Sequence, residues 1–247
     1  MKRFLLMVQF FTRIPINKEF EIEEGDFHKG VIYLPLIGLI IGLFMAGIYY
    51  ITKTYSGDII AIVMALLFGY LITGALHIDG LADTCDAIFT MKTKEKMLEI
   101  MKDSRLGTYG TLAVLFDILL KVSLLLSLDK SYRAIAIIVA PVIGRTFLTV
   151  SLYKAEYPRK DGTGNLFVGK VTLLDIVLTM VISLFLIFFI LRVEGLLVFA
   201  IAIPFTLLVR KYLIGKVGGL TGDMLGTINE VNEILTLFIL MFLQNWR

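Results

Sequence analysis

The sequence has few charged residues and almost no cysteine, and each shortage excludes a class of protein. Cys85 is the single cysteine among 247 residues, so a disulfide framework is excluded. The 24 Lys and Arg nearly balance the 21 Asp and Glu, and a net charge of +3 does not indicate nucleic-acid binding. Only 18% of the residues are charged, whereas soluble chains have about 25%. An ordinary soluble domain is therefore excluded.

Apolar residues are what the sequence has in excess. They make up 57% of the chain, and the mean hydropathy is +0.85. They fall in blocks of about 20 residues, each long enough to cross a hydrocarbon core about 30 Å thick. The 12% of aromatic residues, together with abundant Ile, Leu and Val, excludes a disordered chain. The sequence predicts an all-α polytopic membrane protein, a bundle of six to seven transmembrane helices that forms one domain over 1–247.

The apolar blocks give seven candidate spans. Six are predicted over 31–50, 58–76, 111–128, 134–152, 172–191 and 195–214. The seventh block, 234–243, crosses only if its helix begins further back, near Asp223 or Glu230. The segment 1–30 is predicted to lie at the membrane interface, with a short helix that ends before Pro15. Gly38 and Gly42 form a small-xxx-small pattern that permits close helix packing and, through it, a homodimer.

The distribution of Lys and Arg between the spans predicts an orientation. Alternate loops contain 17 of these residues on one side and 5 on the other. Because basic residues concentrate in cytoplasmic loops, the segments 77–110, 153–171 and 215–233 are predicted to be cytoplasmic. The predicted location is the cell (inner) membrane, with multiple crossings.

An acidic motif follows the second apolar block. Asp79, Asp83 and Asp86 are spaced so that a helix places all three on one face, where like charges repel. No Lys or Arg occurs between Lys53 and Lys92, so nearby residues in the sequence do not neutralise them. Oxygen ligands at this density favour Mg²⁺ or Mn²⁺ over zinc. The alternative interpretation is a solvated acidic end of a helix.

Three glycine-containing segments accompany this motif at the same predicted side. Residues 102–110 combine Lys102 and Arg105 with a turn that could offer backbone N–H groups to a phosphate, or could simply end a helix. Residues 218–230 place Asp223 and Glu230 after several glycines, as a second acidic site or as a packing turn capped by Thr221 and Asp223. The loop 157–164 contains Arg159 and is either a phosphate site or a connector.

Charged residues inside the apolar blocks need partners. Asp117 and Lys121 are one helical turn apart and can pair with each other. Arg145 either neutralises Asp175 or points into a cavity toward a phosphate, and we favour the phosphate. His77 is as consistent with a hydrogen-bonded structural residue as with a functional one.

Carboxylates for a metal, cations and glycine turns at one membrane face are typical of phosphoryl or phosphodiester transfer. The chain has no GxxxxGK[ST] loop, which argues against an ATPase.

Four motifs together resemble the adenosylcobinamide-GDP ribazoletransferase, or cobalamin (5′-phosphate) synthase, family. They are HIDGLADTCDA at 77–87, MKDSRLGTYG at 101–110, GRT at 144–146 and GGLTGDMLGTINE at 218–230. The stretches FFTRIPI at 10–16 and YLPLIGLIIG at 33–42 extend the resemblance over nearly the whole chain. The acidic motif is also loosely similar to CDP-alcohol phosphotransferases, but Ala82-Asp83 stands where that family has an Ala-Arg pair.

The resemblance implies the last assembly step of the cobalamin nucleotide loop. Adenosylcobinamide-GDP and α-ribazole, or its 5′-phosphate, give adenosylcobalamin, or its 5′-phosphate, and GMP, with Mg²⁺ as cofactor. We expect the metal to be held by Asp79, Asp83 and Asp86, with Asp223 as a further ligand. Asp83 is also a predicted catalytic residue, and Glu230, or alternatively His77, is expected to orient or deprotonate the attacking hydroxyl. The expected substrate and phosphate contacts are Lys102, Asp103, Arg105, Gly107, Gly110, Arg145, Arg159, Gly219, Thr221 and Gly222.

Two other functions stay open at this point. A CDP-alcohol phosphotransferase is the nearest enzymatic alternative. A secondary transporter is less favoured, because the acidic residues lie at loop–helix junctions and the sequence shows no internal repeat.

Overall fold

The computed structural model describes residues 1–244, and over that range it consists of α-helices and short 3₁₀ turns, with no β-strand. The helices are α1 (Lys2–Phe11), α2 (Asp26–Gly30), α3 (Leu34–Ser56), α4 (Asp58–Thr73), α5 (Leu76–Ile88), α6 (Lys94–Ile100), α7 (Thr108–Ser127), α8 (Lys130–Leu152), α9 (Leu173–Leu191), α10 (Val193–Val217) and α11 (Gly222–Gln244). The predicted all-α class is confirmed.

Six of these helical segments are long and apolar enough to cross a membrane, and the number rises to seven if α4 and α5 together form one broken span. The chain turns by 89° between α4 and α5. The single predicted span 58–76 is therefore wrong in its last residues. Its helix ends because Gly74 and Ala75 both adopt left-handed backbone angles, with φ of 62° and 58°.

The last span begins at Gly222, as its prediction required. Thr221 starts the helix, since its hydroxyl accepts a hydrogen bond from the backbone N–H of Met224 at 3.2 Å. The polar residues of α11 from Thr227 to Glu233, including Asn229, are buried inside the bundle. Because protein surrounds them, α11 tolerates side chains that lipid would not.

Helix α8 lies at the centre of the bundle and packs most extensively on α3. A Cβ atom at Gly42 would lie 2.6 Å from the carbonyl oxygen of Ile138, and Gly38 meets the backbone of Pro141 as closely. The small-xxx-small face therefore packs inside the chain. The homodimer stays a prediction, but the glycine pattern that suggested it is used for packing within the chain.

The two ends of the bundle differ in the charged residues that they contain. At one end Asp58 binds Arg133 at 2.8 Å and Lys53 at 3.3 Å. At the other end the segments 77–110, 153–171 and 215–233 contact one another. Helix α1 ends at Phe11, before Pro15 as predicted, and packs near this second end. The interfacial position of 1–30 stays a prediction.

Candidate active site

Helix α5 presents the acidic motif after the sharp turn from α4. Asp79 is exposed and Asp83 is half-buried, whereas Asp86 is 9% exposed. The three carboxylates therefore do not share one environment, although they lie on one face. Asp79, Asp86 and Asp223 all act on Asp83 as repelling charges, and Arg159 attracts it.

Glycines bring α5 and α11 into direct backbone contact. A Cβ atom at Gly80 would lie 2.7 Å from the carbonyl oxygen of Asp223, and one at Gly226 would lie 2.6 Å from the carbonyl oxygen of His77. Any side chain at either glycine would separate the helices. This contact places Asp223 beside the acidic motif, and the glycines in both motifs were the sequence signal for it.

The loop 157–164 supplies the cation of this site. Arg159 forms an ion pair with Asp223, with an N–O distance of 2.7 Å. The backbone N–H of Leu220 donates to the carbonyl of Glu156 at 2.9 Å, which joins this loop to the turn before α11. Gly219 fits closely against the Glu156 carbonyl, and Gly222 lies beside Gly164. The sequence predictions included Arg159, Gly219, Gly222 and Asp223, but not Glu156 and not the pairing of Arg159 with Asp223.

The side-chain carboxylates of Asp79 and Asp83 form neither a hydrogen bond nor an ion pair with any residue from 1 to 244. Within the same range, no group of three or more His, Cys, Asp or Glu side chains is arranged to hold a metal ion. Mg²⁺ commonly uses one or two carboxylates together with water and substrate phosphates. Two carboxylates without a protein partner fit that kind of site better than an all-protein cage.

Asp86 has a different environment from the two preceding aspartates. It accepts hydrogen bonds from the backbone N–H groups of Gly107 at 2.7 Å and Gly110 at 2.9 Å. The glycine turn that was expected to bind a phosphate therefore presents these groups to Asp86, at the start of α7. This arrangement is a helix-end contact between α5 and α7.

The basic residues of that turn lie outside the carboxylate site. The Arg105 guanidinium binds Asp103 and holds the pKa of that carboxyl well below its usual range, at about 2. Both groups lie at the surface, and Lys102 is exposed as well. Their predicted contacts with phosphate stay predictions that the geometry does not strengthen.

Glu230 and Arg145 belong to a second group of charges, inside the helix bundle. We call it the buried network, and its members are Tyr70, Asp117, Lys121, Arg145, Asn229, Glu230 and Glu233. Lys121 contacts Glu230 and lies 3.1 Å from both Asp117 and Glu233. Arg145 binds Glu233 at 2.6 Å.

Three predictions from the sequence concern residues of this network. The pairing of Asp117 with Lys121 is confirmed. Arg145 does not neutralise Asp175, which instead caps α9 through Thr172. Glu230 was expected to share the Asp223 site, but its carboxylate faces Lys121. Glu233 was missed as a partner, although its spacing from Glu230 was a usable signal.

His77 lies between the two groups of charges. Its side chain is 5% exposed, and Nδ1 is 3.4 Å from a terminal nitrogen of Arg145. Its Nε2 has no hydrogen-bond partner among the described residues. His77, Asp79 and Asp223 line one cavity.

Comparison with known proteins agrees with the sequence motifs. The family model described as cobalamin-5-phosphate synthase matches residues 3–241. An adenosylcobinamide-GDP ribazoletransferase of Clostridium novyi (strain NT) is 45% identical over 242 residues, which are 98% of this chain and 97% of that protein. Proteins of the same name from Clostridium botulinum (strain Okra / Type B1) and Thermoanaerobacter pseudethanolicus (strain ATCC 33223 / 39E) are 42% and 38% identical, over 97% and 96% of this chain and 97% and 95% of their own length.

No solved structure matches the chain. The match to the family model and the identity to these relatives both extend over nearly the whole length. The family resemblance is confirmed, and this chain belongs to the cobalamin-5-phosphate synthase family of enzymes.

Proposed function

We propose that this enzyme joins adenosylcobinamide-GDP to α-ribazole, or to its 5′-phosphate, and releases GMP. The 5′-hydroxyl of the ribazole forms a bond to the phosphate attached to cobinamide, and the bond from that phosphate to GMP breaks. The hydroxyl proton passes to solvent water, GMP leaves as its phosphate monoester, and the product is adenosylcobalamin or its 5′-phosphate. The names of the relatives support these substrates.

One observation supports the place of the reaction more than any other. Asp79 and Asp83 lack partners among the described residues, and they lie beside the ion pair of Asp223 with Arg159. Unpaired carboxylates next to one another are unfavourable unless a cation joins them. A pyrophosphate with its counter-ion would supply the cation for these acids and the anion for Arg159.

We propose Mg²⁺ as the cofactor, held by Asp79 and Asp83 together with phosphate oxygens of the substrate. Asp223, which is paired with Arg159, stays a predicted further ligand. When bound, this ion would neutralise the charge of the pyrophosphate oxygens. Arg159 would orient the phosphates, because a guanidinium forms two parallel hydrogen bonds with phosphate oxygens. Asp223 keeps Arg159 in position until the substrate arrives.

The proposed orientation places this site at the cytoplasmic face of the cell (inner) membrane. Support comes from the contacts among the three segments rich in Lys and Arg, which meet at one end of the bundle. Substrates made in the cytoplasm would reach that end without crossing the bilayer.

The test is an assay of purified protein in detergent with adenosylcobinamide-GDP, α-ribazole and Mg²⁺. We expect release of GMP and formation of adenosylcobalamin, and loss of both when EDTA is added. Release of CMP from a CDP-alcohol, with no GMP from the first mixture, would move the assignment to the CDP-alcohol phosphotransferases.

A further inference from the structure

A cavity of about 110 Å³ opens directly beside the carboxylate site. One part of its lining is polar and contains His77, Asp79 and Asp223. The other part is apolar, with side chains from α1, α3, α8 and the segment after residue 163. The apolar lining includes Phe10, Phe11, Leu34, Leu148, Leu152 and Phe167. The reaction proposed above uses only the polar part.

Aromatic rings form one wall of the cavity. The ring centroids of Phe10 and Phe167 are 5.2 Å apart, and those of Phe11 and Phe167 are 6.0 Å apart. Phe11 also lies 6.0 Å from the His77 ring, with the two planes tilted by 33°. Edge-to-face and offset rings at these distances suit a flat aromatic ligand.

His77 presents a hydrogen-bond donor to this apolar space. The guanidinium of Arg145 can only donate, so the nearby Nδ1 of His77 must be the nitrogen with the free lone pair. In the neutral ring the hydrogen is then on Nε2, which is buried and has no partner among the described residues. A buried donor without a partner costs free energy until a ligand supplies an acceptor.

We propose that this cavity binds the benzimidazole base of the acceptor nucleoside, an inference that rests on the proposed function. The base is flat and apolar, and its one unsubstituted ring nitrogen is an acceptor for Nε2 of His77. Its ribose would then extend toward Asp79 and Asp223, where the hydroxyl reacts. Guanine is the competing occupant, but it has several donors and acceptors that phenylalanine and leucine side chains would leave unpaired.

The first test fills the cavity and measures the KM of each substrate separately. The variant Leu152→Phe places a larger side chain in the apolar lining, and Leu178→Phe makes the same change on α9, where Leu178 is 40% exposed. We expect Leu152→Phe to raise the KM for α-ribazole at least about tenfold, with little change for adenosylcobinamide-GDP. Phe167→Ala, which opens the aromatic wall, should raise the same KM and serves as the second variant.

Three results of this test would overturn the inference. Unchanged KM values in active Leu152→Phe and Phe167→Ala would remove the nucleoside from the cavity while the proposed function stands. A rise confined to adenosylcobinamide-GDP would assign the cavity to guanine. If the unaltered enzyme releases no GMP, the proposed function fails, and the cavity is tested by equilibrium dialysis with α-ribazole. Binding of α-ribazole that Leu152→Phe abolishes would support the inference. No binding to the unaltered protein would overturn it.

The second test examines the hydrogen bond from His77 by binding, independently of turnover. The probes are α-ribazole and an analogue in which C–H replaces the unsubstituted ring nitrogen. We expect the unaltered protein to bind the analogue about tenfold more weakly, and His77→Leu to bind both nucleosides equally. Equal binding of the two probes by the unaltered protein would overturn the contact.

Discussion

The two groups of charged side chains in this molecule differ in what neutralises them. In the buried network, Asp117, Glu230 and Glu233 all contact Lys121, and Arg145 binds Glu233 as well. At the carboxylate site, Asp79 and Asp83 contact no cation within residues 1–244, and only Asp223 has one, in Arg159. The ion pairs of the buried network join α7, α8 and α11, whereas carboxylates without a protein cation indicate a binding site.

Removal of the central cation should have the largest effect. We expect Lys121→Met to lower the free energy of unfolding by about 3–5 kcal/mol, because three buried carboxylates lose their shared partner. Unfolding in detergent measures it, with Lys130→Met at an exposed position as the matched control. A stable but inactive Lys121→Met protein would show that the buried network takes part in the reaction. The contrast between the two groups of charges would then fail.

Neutralising one unpaired carboxylate should affect the reaction and spare the fold. We expect Asp83→Asn to reduce GMP release about a hundredfold to a thousandfold. Membrane insertion and Tm should be unchanged or improved, since one source of repulsion is removed. Glu95→Gln on the exposed face of α6 is the control. An active Asp83→Asn enzyme would contradict the metal proposal.

Separating α5 from α11 should reduce both the stability of the fold and the rate of the reaction. A Cβ atom at Gly226 meets the backbone of His77, so we expect Gly226→Ala to cost about 1–3 kcal/mol of stability. It should also displace Asp223 from Asp79 and lower the rate of GMP release. Gly215→Ala is the matched control, because a Cβ atom there has nothing within 4 Å. Normal activity in Gly226→Ala would show that this helix contact does not position the site.

The smallest effect is expected in the 102–110 turn. Arg105 binds Asp103 at the surface, so Arg105→Gln should leave the rate of GMP release within about twofold. Arg159→Gln should lower it at least about tenfold, since Arg159 lies beside the carboxylates. Parallel rate measurements on the two variants decide which arginine contacts phosphate. A larger loss in Arg105→Gln would restore the original expectation for this turn.

The sequence predicted the helices well because apolar length and glycine positions are local properties. It also identified the segments that meet at the site, including the turn with Asp223 and the loop with Arg159. It could not predict which charged side chains pair with each other when they are far apart in the sequence. Glu230 lies on the same helix as Asp223, but the nearest cation comes from α7, more than 100 residues away in the sequence.

Asp86 shows the same limit within one motif. Helical spacing places it with Asp79 and Asp83, but the start of α7 supplies two N–H groups to Asp86 alone. The break after Thr73 was likewise hidden, because hydropathy continues through Gly74 and Ala75 while the backbone turns. Contacts made by distant segments, rather than local pattern, decide these points.

The contrast between the carboxylate site and the buried network is tested most directly by the Mg²⁺ concentration that gives half-maximal GMP release. We expect Asp79→Asn to raise this concentration at least about tenfold, because it removes a carboxylate that the protein leaves unpaired. Glu230→Gln should leave it unchanged, since Lys121 keeps Asp117 and Glu233 as partners. The opposite pattern, a shift in Glu230→Gln and none in Asp79→Asn, would contradict the account and place the metal in the buried network.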